Sequence, residues 1–177
     1  MYLEHFGLRE SPFRITPHTE FFFTGANRGA TLEALIYAIT HDDGIVKASG
    51  EVGSGKTMLC RMLPERLPKN VDTVYLANPS LSRDEILYAI AEELELKLPE
   101  GRLHSLIRAL QDRLIEIYAE GRQVVVMVDE AHAMPPESLE EIRLLSNLET
   151  NRQPLLHTIL FGQPELDEKL RRPEIRQ

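Results

Sequence analysis

Gly50-Glu51-Val52-Gly53-Ser54-Gly55-Lys56-Thr57 is the stretch on which the fold turns. It matches the pattern G-x-x-x-x-G-K-[ST] without a mismatch. Its flanks carry as much weight as the string. Ile45-Val46-Lys47-Ala48 reads as a short strand running into Gly50, and Met58, Leu59, Met62 and Leu63 resume at helical spacing after Thr57. Glycines between a strand and a helix let the backbone close around phosphate oxygens and aim its N–H groups at them. The helix start adds a positive dipole end. Lys56 supplies a point charge for the outer phosphates, and the Thr57 hydroxyl is placed to ligate Mg²⁺. Pro64 is expected to kink or shorten the helix.

Outward from this loop the chain alternates. Residues 32–41 carry Leu32, Leu35, Ile36 and Ile39 at helical spacing, and Asp42-Asp43-Gly44 ends that pattern. Val71 to Ala77 reads as a second strand. Ser82-x-x-Glu85 is a capping-box signature opening a helix with Ile86, Leu87, Ile90 and Leu94 on one face. Leu103, Leu106, Ile107, Leu110, Leu114 and Ile117 mark another helix, stopped by Gly121. The unbroken run Val124-Val125-Val126-Met127-Val128 suits a strand buried on both faces. Pro135-Pro136 suits a helix start, and Leu155 to Phe161 gives a fourth strand. The fold class is therefore α/β, a mostly parallel sheet with helices on both faces, of the P-loop NTPase kind.

Asp129-Glu130 follows the apolar run, so both carboxylates emerge at the carboxyl edge of the sheet, where the phosphate loop also lies. There Asp129 would hold Mg²⁺ and Glu130 would orient the attacking water. The bland alternative is a pair of solvated loop acids.

The chain has 177 residues, 42% hydrophobic and 27% charged, which fits one soluble domain without a membrane span. No signal-like start precedes Glu4, so a cytoplasmic address is the expectation. Cys60, the single cysteine, reads as a core thiol. A net charge of −8 gives no global attraction for nucleic acid. Residues 1–26 hold Phe6, Phe13, Phe21, Phe22 and Phe23 among prolines, and read as an arm packed down by its rings on a core of residues 27–177.

With both motifs placed, the chain resembles the AAA+ ATPases, and among them the ATPases of bacterial secretion and pilus assembly of the general secretion pathway protein A and MSHA-pilus biogenesis protein MshM kind. Tyr2-Leu3-x-x-Phe6-Gly7-Leu8, Pro12-Phe13-x-x-Thr16-Pro17, Gly50 to Thr57, Asn78-Pro79, Asp129-Glu130-Ala131-His132 and Gly162-Gln163-Pro164-Glu165-Leu166 carry the likeness. It implies a nucleotide site of Gly50 to Met58 with Pro12 and Phe13 over the base. It implies Lys56 and Glu130 as catalytic groups, Asn78 as a polar check on Glu130, and Gln163 as a sensor of the terminal phosphate. A turn-forming Asn, a loop amide and an aromatic packing contact are the plain readings of Asn78, Gln163 and Phe13. His132 reads the phosphate state or is simply a hydrogen-bonded side chain, and stays outside the catalytic set.

The resemblance further implies a ring oligomer, with an arginine finger in trans from Arg171, Arg172 or Arg176, unless Lys169 to Arg176 is only a solvated helix end. It implies a helical lid that this stretch lacks, so the chain reads as part of a longer protein, reaching the inner membrane through the rest of that protein or through partners. The expected activity is Mg²⁺-dependent ATP hydrolysis in assembly of a secretion or type IV pilus apparatus. Two alternatives stand beside it: a nucleic-acid ATPase of the transposition or helicase kind, suggested by the DEAH string, and a nucleotide-gated scaffold with little turnover.

Overall fold

Every second residue of the run 124–128 faces the opposite side of a sheet, and both sides are apolar, so the strand needs helices above and below it. A computed structural model describes residues 2–11, 18–41, 44–97, 103–150 and 153–171 of the chain. Its helices are α1 (Tyr2–His5), α2 (Arg28–Thr40), α3 (Lys56–Arg66), α4 (Arg83–Glu93), α5 (Leu103–Ala119), α6 (Pro136–Ser146) and α7 (Glu165–Leu170). Its strands are β1 (Ile45–Ser49), β2 (Val71–Leu76), β3 (Gln123–Val128), the two-residue pair β4 (Glu149–Thr150) and β5 (Gln153–Pro154), and β6 (Leu156–Gly162). Strands β1, β6, β3 and β2 pair in that order, all parallel, while β4 and β5 form a small antiparallel hairpin.

The predicted division of β3 is realised. Val124, Val126 and Val128 join Ile86, Leu87 and Ile90 of α4, Leu106, Leu110 and Leu114 of α5, and Leu139 and Ile142 of α6 on one face. Val125 and Met127 join Leu32, Leu35 and Ile39 of α2 and Leu59, Cys60, Met62 and Leu63 of α3 on the other. Truncating one such leucine to alanine typically costs about 2–5 kcal/mol.

Local signals set the element ends. Ser82 accepts from Glu85 N–H while Glu85 accepts from Ser82 N–H at 2.8 Å, a complete capping box opening α4. Gly121, at φ +74°, lets the chain leave α5, with Arg122 N–H reaching back to the Ile117 carbonyl at 3.1 Å. Pro64 does less than its chemistry suggests: α3 runs two residues beyond it to Arg66, and Leu67 N–H still donates to the Leu63 carbonyl at 2.9 Å. A proline in the last turn forfeits only one hydrogen bond.

The aromatic arm departs from expectation. Phe22 packs on the α2–α3 face of the core, but Phe6, Phe21 and Phe23 are 68%, 54% and 66% exposed. A polar contact between side chains also ties this segment to α3, Thr19 Oγ1 donating to Glu65 Oε1 at 2.8 Å. Phe13 lies outside the described residues.

Candidate nucleotide site

The register fixes where the site lies. Ser49 pairs with Gly162 and Val128 with Leu160, so the segments following β1, β6 and β3 leave the sheet side by side on its carboxyl edge. Gly50 N–H donates to the Gly162 carbonyl at 3.1 Å, one last rung before the phosphate loop departs.

Within the loop Gly53 and Gly55 take φ +80° and +97°, conformations that an L side chain rarely adopts. The first bond of α3 is Leu59 N–H to the Gly55 carbonyl at 3.0 Å, so the N–H groups of Lys56, Thr57 and Met58 have no intrahelical acceptor. Such a helix start binds anions. Lys56 Nζ folds back over the loop, donating to the carbonyls of Gly50 at 2.7 Å and Glu51 at 2.9 Å. Arg28, at the start of α2, donates through Nε to the Ser54 carbonyl at 3.2 Å, placing a second cation beside the loop.

Asp129 is buried, with 6% of its surface exposed. Its Oδ1 accepts Glu130 N–H at 2.9 Å and its Oδ2 accepts the Tyr75 hydroxyl at 3.4 Å. Burial, then the Asp129 charge, pushes the Tyr75 hydroxyl up to about 12. The same two causes, in the same order, push the Cys60 thiol up to about 12. Cys60 is 1% exposed, the core thiol that was expected.

Glu130 stands in the left-handed region at φ 52°, ψ 35°, a conformation that costs a non-glycine residue roughly 1–3 kcal/mol and collects at functional sites. The turn sends the chain into the 3-10 turn Ala131–Ala133 and leaves the Glu130 side chain 44% exposed. Its Oε2 lies 3.3 Å from His132 Nδ1.

One cleft of about 420 Å³ is lined by Val52, Gly53, Gly55, Lys56, Thr57, Met58, Glu130 and Gln163. It joins the phosphate loop to two side chains predicted from elsewhere in the chain, in a volume suited to a small-molecule ligand. Asn78 stands apart. Its Oδ1 accepts Ser80 N–H at 3.0 Å, the turn-forming arrangement, while the partner found for Glu130 is His132. Arg171 closes α7 at the surface and, after Lys47, helps hold the Asp167 carboxyl below its ordinary range. Pro12, Arg172 and Arg176 lie outside the described residues. Arg28 and Tyr75 were absent from the predicted site, since no short pattern ties either to the loop or to Asp129.

The sequence pattern of the AAA domain family matches residues 39–170. General secretion pathway protein A of Aeromonas hydrophila is 40% identical over 178 residues, covering 100% of this chain and 32% of that protein. The chain thus spans about a third of the length of this curated relative. Among solved structures, Cdc6p from Pyrobaculum aerophilum superposes with a TM-score of 0.69 at 17% identity, covering 94% of this chain and 45% of the other. The ADP form of the Aeropyrum pernix ORC2 protein gives 0.63 at 16% identity, covering 93% and 48%. At such identities these two likenesses speak for the fold.

Proposed function

The chain belongs to the AAA domain family, and on that footing we propose that it binds ATP in the cleft between the phosphate loop and Glu130 and hydrolyses it. The observation that carries the reading is the lining of that one cleft: Lys56, Thr57, Glu130 and Gln163 come from three different stretches of chain and meet in it.

In the proposed reaction, water attacks the terminal phosphorus, the bond from that phosphorus to the bridging oxygen breaks, and ADP and inorganic phosphate leave. Glu130, half-exposed and projecting from a left-handed turn, orients the water and takes up its proton. Lys56 exchanges the carbonyls of Gly50 and Glu51 for phosphate oxygens, so the loop opens its own cradle as it gains a ligand. Gln163 senses the terminal phosphate from the adjoining strand end.

The donor set of one hydroxyl and one buried carboxylate fits Mg²⁺, which takes oxygen ligands and is held by one or two protein groups together with phosphates and water. Thr57 and Asp129 would hold it, and it supplies charge neutralisation at the phosphates. Asp129 is already oriented for this by Glu130 N–H and the Tyr75 hydroxyl.

The likeness to general secretion pathway protein A supports a role in assembling a secretion or pilus apparatus. We place an arginine of a neighbouring subunit, among Arg171, Arg172 and Arg176, at the open side of the cleft in a ring. Such a finger is worth ~10³ to 10⁵ in rate. No helix among the described residues is long and apolar enough to cross a membrane.

Glu130→Gln tests the reading. ATP binding, followed with a fluorescent nucleotide, should persist while phosphate release stops. Turnover equal to that of the unsubstituted protein would refute the role of Glu130. Stimulation by DNA with salt-sensitive binding would favour the nucleic-acid alternative.

A further inference from the structure

His132 Nδ1 has two neighbours with opposite demands. Glu130 Oε2, at 3.3 Å, can only accept a proton from it. The Gln163 backbone N–H, at 3.4 Å, can only donate one to it. A ring nitrogen carries either a hydrogen or a lone pair.

We infer that His132 is a positioning residue for Glu130, a two-position catch whose Nδ1 serves either the Glu130 carboxylate or the Gln163 backbone but never both. This rests on the ATPase reading for its purpose, though not for its geometry.

The imidazole is the fixed member. Its side chain is 20% exposed against 44% for Glu130. Its backbone is clamped from two sides. Lys169 of α7 donates to the His132 carbonyl at 2.9 Å and also to the Met134 carbonyl. Gly162 lies so close behind that a Cβ there would stand 3.3 Å from His132 N, and 2.9 Å from Leu166 Cδ2. With the ring held, the choice of partner decides where Glu130 sits. When Nδ1 carries its hydrogen, Glu130 is drawn to the imidazole; when Nδ1 accepts from Gln163, Glu130 is free to turn to the cleft. Because Gln163 also lines that cleft, a phosphate that moves residue 163 moves the competing N–H with it. α7 thereby gains a route to Glu130 through Lys169 and His132.

Two measurements test the catch. The first reads the ring nitrogens of His132 by ¹⁵N correlation spectroscopy of the histidine-labelled chain, with the signal assigned by its loss in His132→Asn. In Glu130→Ala, Nδ1 should turn to the Gln163 N–H, shifting the ring to the tautomer with hydrogen on Nε2. Ring nitrogens unchanged by Glu130→Ala would overturn the proposal, whether or not the chain hydrolyses ATP. The second reads turnover. His132→Ala should raise kcat severalfold, with KM within about twofold, since Glu130 is then always free to turn to the cleft. His132→Asn sets an amide where Nδ1 stands, able to donate or accept, and should return kcat most of the way to that of the unsubstituted chain. A loss of turnover in His132→Ala, or equal changes in His132→Ala and His132→Asn, would count against the catch. Loss of turnover in the unsubstituted chain with ring nitrogens that do respond would instead refute the ATPase reading.

Discussion

The Lys56 ammonium lies 2.7 Å from the carbonyl of Gly50, the residue that opens its own loop. The lysine therefore holds the loop together in the ligand-free chain, and on the proposed reading it would turn to the outer phosphates when ATP binds. One substitution should expose both roles.

Lys56→Ala is expected to abolish measurable ATP binding in calorimetry. The attraction lost is ~4 kcal/mol for unit charges 4 Å apart at an effective dielectric of 20, roughly a thousandfold in affinity. Binding undiminished by the substitution would remove the phosphate loop from the site.

Tyr75→Phe should leave the fold intact and loosen Asp129. The hydroxyl is one of two donors orienting that carboxylate, and losing an orienting partner behind a metal ligand typically costs 10- to 100-fold in affinity. We expect the Mg²⁺ concentration for half-maximal activity to rise about tenfold, with stability down by about 1 kcal/mol. Tyr88→Phe, on the exposed surface of α4, is the control that should change neither. A Mg²⁺ titration identical for Tyr75→Phe and the unsubstituted chain would sever Tyr75 from the site.

Cys60 and Tyr75 together predict an alkaline weakness. In the unfolded chain the thiol ionises near 9 and the hydroxyl near 10, whereas the folded chain holds both protons to about 12. The folded state then binds more protons than the unfolded one across that window. Stability is full below about pH 9 and falls as pH rises toward 12. Denaturant midpoints measured from pH 8 to 12 should show the decline, and Cys60→Ala should delay its onset toward pH 10. Below that window, Cys60 should resist thiol reagents until the chain unfolds.

Much of this site was legible from residue order because its chemistry is local. The glycine spacing of the loop, the strand before it and the helix after it are contiguous, and the carboxylates follow directly on an apolar run that can only be a central strand. β3 pairs with β6, so Asp129 and Gln163 follow neighbouring strand ends. What escaped was carried between strands and turns. Tyr75 meets Asp129 because β2 and β3 lie in register, with Leu76 opposite Val128, and no spacing within either segment encodes that. Asn78 reads two ways from the sequence, and its side chain accepts Ser80 N–H, a bond that an Asn before Pro79 makes without waiting for tertiary structure. Composition alone points the phenylalanines of the arm inward, whereas Phe6, Phe21 and Phe23 stand exposed.

The rung between Gly50 N–H and the Gly162 carbonyl has a practical meaning for anyone recombining such domains. It ties the two segments that diverge from it into a matched pair. Removing a single residue from either β1 or β6 would slide one against the other and turn every later side chain to the opposite face. Chimaeras should therefore exchange residues 44–57 and 156–163 together or not at all, whereas the β4–β5 hairpin stands outside the four-stranded sheet.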